Sequence, residues 1–451
     1  MQSRTAPQNH CDAGTAPLTS DATLLDSLQH AAFEYFLQQA NPINGLVADT
    51  SREHSPVSIA VVGFAFSAYV VGVERGWMSR ADAVRSSLAA LRFFRDSDQG
   101  GGVQGTGYKG FYYHFLDWNS GKRVWTSELS MIDTALLIVG ALTAAMYFDA
   151  DTPDEIELRG IADELYRRID WHWAQDGNVT IMQGWKPESG FLHYGWEGYS
   201  EALVLYALAM GSPTHPVEHD CYHGWTATYQ WEILYGQEYL YAGPLFVHQF
   251  SHAWIDLRGI QDPFMREKRS DYFENSRRAV NIQREYARIN PLGHTGFDQD
   301  CWGLSAGDGP SDELPDVAAE PRRLFGYAAR GVPYGPDDGT LSPPAALACL
   351  PFAPESTLSC LRTLLQRFPE SATGLRLSSG INPGLHTLDG RPWVSAGHFG
   401  LDQGIVVLMI ENHRSELIWQ LMRQCPYLVT GLRAAKFGGG WLDQAKAKRL
   451  P

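Results

Sequence analysis

From residue 24 onward, apolar positions recur at helical spacing, and two textures alternate along the chain. Segments 55–76 (SPVSIAVVGFAFSAYVVGVERG), 127–148 (SELSMIDTALLIVGALTAAMYF) and 198–211 are apolar on almost every face, the signature of helices buried on all sides. Segments 24–40, 79–97 and 152–174 keep one charged face and are predicted to lie outside them. Start signals sharpen two of the boundaries. Ser55 followed by Pro56 reads as an N-cap with proline at the first helical position, and Thr152-Pro-Asp-Glu reads as a capped start with acids in its first turn. Further helical candidates cover 247–257, 270–289, 343–350, 354–368, 400–411 and 415–424. Buried helices alternating with amphipathic ones predict an all-α fold, an (α/α)6 barrel or toroid with an inner ring inside an outer one. A stacked helical solenoid is the competing arrangement, but it would carry a fixed sequence period, and none is visible.

Residues 1–21 are polar and read as a flexible tail, with 22–445 forming one catalytic-size domain. Long Gly- and aromatic-rich stretches interrupt the helices at 98–123, 184–198 and 293–310. Loops of that length in a compact domain are commonly functional. They predict the walls of a cleft at one mouth, with Tyr112, His114, Trp196 and Tyr199 as substrate-binding candidates.

Composition narrows the function classes. A net charge of −15 and the lack of a basic patch argue against nucleic acid or an anionic membrane as partner. The 14 Trp, 20 Tyr and 20 Phe suit either a large core or a sugar-stacking cleft. Six scattered cysteines without a CxxC pair read as reduced, mostly buried thiols. No apolar leader and no membrane-length apolar run is present, so the sequence as written reads as cytoplasmic. A periplasmic chain shorn of its leader would look the same.

The candidate chemistry lies where apolar helices begin. Glu201 sits at the entrance of an apolar segment, near Trp196 and Tyr199. The helix dipole alone favours an acid there, yet desolvation by aromatic rings would also raise its pKa, as a general acid requires. Asp133 is followed by Thr134 and then an apolar run, so it needs partners, a raised pKa or a cavity. A network bracing the inner helices is the plainer account. Glu128 precedes it by five residues, about 140° around a helix, so the two would reach one cavity from different depths. Asp402 again opens an apolar helix. His248 and His252 stand at i,i+4, a metal-ligand spacing, but Gln249 replaces the glutamate of HExxH, so hydrogen bonding is the expected role. Asp256 and Arg258 are placed to pair near the same mouth. Trp302 and Asp308 offer a stacking platform and a hydroxyl partner, or simply a Gly-rich turn. Paired carboxylates between aromatic walls are what glycoside hydrolysis uses. Nucleophile-elbow, Walker and dinucleotide motifs are missing, and no metal or cofactor is expected.

The segments SPVSIAVVGFAFSAYVVGVERGWMSRADA, SELSMIDTALLIVGAL, GYSEALVLYALAMGSPTHP, HQFSHAWIDLRG, DCWGLSAGDGP and LSPPAALACLPFAPE, in this order over about residues 24–440, resemble the glycoamylase-like domain, including the bacterial endo-β-1,2-glucanases of glycoside hydrolase family 144. The resemblance implies an (α/α)6 barrel cleaving linear β-1,2-glucan to sophoro-oligosaccharides without metal, with Glu201, Glu128 and Asp133 at the catalytic centre. The implied partner is a β-glucan oligosaccharide or polysaccharide. The chain departs from the family at 374–383 (GLRLSSGINP), a loop expected to border the substrate. Two other readings use the same features: glycosyl transfer, as in the cyclisation domain of cyclic β-1,2-glucan synthase, and non-catalytic glucan binding.

Overall fold

The computed structural model describes residues 20–311 and 323–446. Of the tail expected at 1–21, residues 1–19 lie outside the described residues, while Ser20 already caps the first helix by accepting from the Thr23 amide.

The described residues form fourteen α-helices: α1 (Asp21–Gln38), α2 (Ile59–Glu74), α3 (Arg80–Asp96), α4 (Met131–Tyr147), α5 (Pro153–Arg168), α6 (Leu203–Gly211), α7 (His219–Thr226), α8 (Pro263–Glu267), α9 (Tyr272–Ile289), α10 (Pro343–Ala348), α11 (Pro354–Arg367), α12 (Gly400–Arg414), α13 (Leu417–Met422) and α14 (Pro426–Ala434). Their faces follow the sequence texture. In α2 every residue from Ile59 to Gly72 is buried, and in α4 every residue from Met131 to Met146. Amphipathic α3, α5, α9 and α11 bury one face each. Helix α2 packs between α4 and α12, α4 also meets α6, and α12 also meets α10. Between α6 and α10 lies the segment 245–253, where Ser251 Oγ accepts from the Val204 amide and Gln249 Nε2 donates to the Ala345 carbonyl. Helices α1 and α14 lean on the outside of α12 and α6, and α3 pairs with α5.

Two expected starts differ. Thr152 caps α5 as its sequence indicates, accepting from the Glu155 amide. Helix α2, however, begins at Ile59, because Val57–Ser58 is used as a strand against Phe115–Leu116, and Ser55 Oγ instead accepts from the Thr50 amide. The 247–257 segment is not an α-helix but two short 3₁₀ turns, Leu245–His248 and Ser251–Ala253.

The fold is helix-rich rather than all-α. Its largest sheet is antiparallel with five short strands, in the order 107–108, 111–113, 129–130, 184–186 and 190–191. The 98–123 and 184–198 stretches expected as loops supply four of these strands. Much of their aromatic density packs the sheet on itself, with Tyr108 stacked on Trp185 at 5.3 Å and Trp173 against Phe191 at 4.7 Å. Among the described residues no helix is long and apolar enough to cross a membrane. Cys221, Cys301, Cys349, Cys360 and Cys425 are free and buried.

Helices α2 and α4 cross with almost no space between their backbones. A Cβ on Gly140 would lie 1.9 Å from the Gly63 carbonyl oxygen, and a Cβ on Gly63 would lie 2.2 Å from that of Leu136. Gly160, in the middle of α5, faces open space. The same Gly→Ala change should therefore have opposite signs. Gly160→Ala should stabilise by up to about 1 kcal/mol through helix propensity. Gly140→Ala should lose about 1–3 kcal/mol through overpacking. Urea unfolding of the two variants checks this, and equal midpoints would contradict the close crossing.

Candidate active site

Three strand-to-helix or turn-to-helix junctions deliver acids to one cavity of about 660 Å³. The first is the Leu129–Ser130 strand, which runs directly into α4. Ser130 caps the helix, its Oγ accepting from the Asp133 amide and donating to Asp133 Oδ2 at 2.5 Å, so the carboxylate is fixed in orientation. Glu128 lies just before the strand rather than in the helix, and its carbonyl accepts from the His114 amide. Glu128 and Asp133 therefore flank one imidazole instead of sitting a helical 140° apart. His114 Nδ1 is 2.8 Å from Glu128 Oε1, and Nε2 is 3.5 Å from Asp133 Oδ2. Its ring is stacked on Phe115 at 3.9 Å.

The second junction is the turn before α6. Glu201 stands two residues ahead of the first helical residue, and its carbonyl accepts from Ser251 Oγ at 2.8 Å. The third is the start of α12, where Asp402 occupies the third position and borders the cavity with Leu401 and Ile405. Asp49 completes the group. Its amide donates to the Pro56 carbonyl and its carbonyl accepts from the Gly400 amide, which ties it to the start of α12. Trp196, Phe246, Phe250, Tyr327 and Phe399 supply aromatic wall.

These environments push the acids apart. Burial drives the Glu201 carboxyl up to about 7, with the Asp133 charge adding to the rise. Burial likewise raises Asp402 to about 7, aided by the Asp49 and Asp308 charges, and raises Asp49 to about 6. Burial would depress His114, but the Asp133, Glu128 and Asp49 carboxylates outweigh it and lift it to about 9. Glu128 shows the reverse balance: burial favours its acid form, and the hydrogen bond and charge of His114 still hold it below the usual glutamate range. Glu201 and Asp402, which keep their protons near neutrality, thus share the cavity with the Glu128 carboxylate paired with an imidazolium, the split that lets carboxyl groups play different roles.

His114, Glu128 and Asp133 are also close enough to surround a cation. In this structure both ring nitrogens face carboxylates, the arrangement of an ion pair.

Other expected site residues lie elsewhere. Tyr112 is buried, donating from its hydroxyl to the Phe94 carbonyl and accepting from Arg168. His248 and His252 do not share a helical face, since 3₁₀ geometry replaces the α-helix that i,i+4 spacing assumes. They are core residues, bonded to the Ala242 carbonyl and Ser276 Oγ, and burial lowers them to about 4 and about 3. Arg258 does pair with Asp256, but within a network with Glu416 and over the Trp419 ring, away from the cavity. Trp302 is buried in the core and cannot serve as a stacking platform. Tyr199 packs on Tyr229, Tyr272 and His248 and borders a different surface pocket. Asp308 does not line the cavity, but it accepts from Ser395 Oγ at 2.7 Å and from Arg52 at the rim. The divergent 374–383 loop does reach the cavity, through Ser379.

Asp49, Phe115, Tyr327 and Phe399 were not foreseen as site residues. Asp49 alone carried a signal: it follows the buried run Leu46–Val47–Ala48, so an acid enters the interior there.

Known proteins share this framework. The family model Glycoamylase, described as "Putative glucoamylase", matches residues 193–426. The chain belongs to that family. It is similar to the exo β-1,2-glucooligosaccharide sophorohydrolase (non-reducing end) of Parabacteroides distasonis, at 27% identity over 93% of this chain, and it spans 58% of that relative's length. Among solved structures it is similar to the endo-β-1,2-glucanase of Chitinophaga pinensis in complex with sophorotriose and glucose: 25% identity, TM-score 0.80, 94% of this chain and 100% of the other. A β-1,2-glucanase structure from Parabacteroides distasonis matches with 25% identity and TM-score 0.81 over 94% of this chain and 61% of the other.

Proposed function

We propose that the protein is a glycoside hydrolase that cleaves linear β-1,2-glucan internally, with inversion and without a metal. The observation that carries this reading is the convergence of Glu201, protonated up to about pH 7, with the His114-paired carboxylates Glu128 and Asp133 in one aromatic-walled cavity. The names of its relatives supply the linkage. We further propose that residues 22–445 act as one catalytic domain. In it, α2, α4, α6, the 245–253 segment, α10 and α12 form the inner ring of an (α/α)6 toroid.

In this reading Glu201 donates its proton to the glycosidic oxygen as the bond to the anomeric carbon breaks. A water enters from the opposite face and gives its proton to Asp133 or Glu128, leaving the new reducing end as the α-anomer. Inverting pairs leave roughly 6.5–9.5 Å between carboxyls for that water. An acid fixed on a strand–helix junction by Ser130 suits work through a water better than direct attack on carbon.

The test is incubation of the protein with linear β-1,2-glucan, with product sizing and polarimetry. The expected result is a spread of sophoro-oligosaccharides from the first minutes, with the α-anomer formed first. The exo-acting relative favours a second reading, release of sophorose alone from the start. A first-formed β-anomer, or abundant transfer products, would replace hydrolysis with glycosyl transfer. No cleavage with retained glucan binding would make the protein a binding module.

A further inference from the structure

Outside the cavity a groove of about 410 Å³ opens on the protein surface, with Trp118, Trp125 and Arg52 in its lining. Trp125 is 72% exposed and holds a left-handed backbone, φ 54°, which is unusual for a bulky residue. Strain of this kind persists where the surroundings enforce it and clusters at ligand-contacting positions. An indole kept in water by a strained backbone adds little to folding, so its use must lie on the surface.

The groove adjoins the cavity, the two sharing wall at three places. Trp125 meets Phe115 edge-on at 5.3 Å, and Phe115 lines the cavity. Arg52 lies over the ring of Phe399, another cavity wall, at 5.1 Å, and is fixed there by Asp308 and by the Ala396 carbonyl at 2.7 Å. Ala48 borders the groove while the next residue, Asp49, borders the cavity. Gln39, Asp117 and Asn119 share the lining with the two indoles. Flat apolar rings next to amide and carboxylate groups match a pyranose, which has apolar C–H faces and a rim of hydroxyls. Arg52 is already paired with Asp308, and with Asp117 in the lining the mixed charge suits an uncharged ligand.

We infer that this groove is a distal glycan subsite, in which Trp125 stacks on glucosyl units of a chain whose scissile bond lies in the cavity. The inference rests on the glucan-hydrolase reading and adds to it a determinant of chain-length preference. Arg52 and Trp125 stand as the two posts between catalytic cavity and subsite.

The experiment compares kcat/KM on long linear β-1,2-glucan with that on short sophoro-oligosaccharides, for wild type, Trp125→Ala and Trp125→Phe. The expected result is a preference for long over short substrates that falls about tenfold in Trp125→Ala, carried by KM, and recovers largely in Trp125→Phe. Circular dichroism confirms the fold of each variant. An unchanged preference would overturn the subsite while leaving the hydrolase reading intact. A binding assay stands apart from turnover: intrinsic fluorescence of Glu201→Gln, with and without Trp125→Ala, titrated with linear β-1,2-, β-1,3- and α-1,4-glucans. If wild type cleaves no β-1,2-glucan, a Trp125-dependent signal with any of these still supports a glycan groove, and none with all three overturns it.

Discussion

Replacing Glu201 with glutamine is expected to lower kcat by about 10²–10⁴-fold, the usual contribution of general acid catalysis, with the fold intact. The amide keeps the size and hydrogen-bonding reach of the side chain and removes only the transferable proton. The wild-type pH profile provides a second signature. Because burial raises Glu201 to about 7, the acid form required for proton donation is full below that pH and is lost above it. kcat/KM should therefore decline as pH rises through about 7, and the residual activity of Glu201→Gln should lack that decline. Near-normal turnover in the variant would reduce Glu201 to a helix-entrance acid held for the dipole.

Asp133→Asn is expected to cost about 10²–10⁴-fold as well, because it removes one of the two carboxylates proposed to take a proton from water. It should also move the remaining profile. The Asp133 charge helps raise Glu201, so its removal lowers the Glu201 pKa and shifts the alkaline decline toward lower pH. A purely structural role for Asp133 would reduce stability without that shift. Glu128→Gln alongside it decides which carboxylate acts on the water, since the true base should show the larger loss. If both variants turn over at wild-type rate, the base lies elsewhere in the cavity, and Asp402 and Asp49 become the candidates.

The helices that pack on all sides were legible in the sequence because they have no polar face to hide. Helices α2 and α4 are long, nearly unbroken apolar runs, and a buried segment of that length has few alternatives to a helix. The same texture exposed the acids at their entrances, and Glu128, Asp133, Glu201 and Asp402 do converge on one cavity. The short strands were not legible, because two or three residues carry no period. That omission moved Glu128 from a helix to a strand edge and hid its bond to His114. The histidines at 248 and 252 misled for a related reason: their spacing carries meaning only on an α-helix, and the local backbone is 3₁₀. Tyr112 and Trp302 belong to aromatic-rich stretches, where sequence alone does not separate rings that face a cleft from rings that support a sheet or core.

The cavity draws its acids from Asp49, Glu128, Asp133, Glu201 and Asp402, positions spread across most of the chain. The family-matched stretch 193–426 holds Glu201 and Asp402 but not His114, Glu128 or Asp133. The site is thus not modular. Expressed by itself, that stretch would lack the His114 imidazole and the Glu128 and Asp133 carboxyls that line the cavity with Glu201. Recombination that exchanged either half of the gene between relatives would therefore have to preserve a match between acids encoded far apart, which ties the two halves to a shared history.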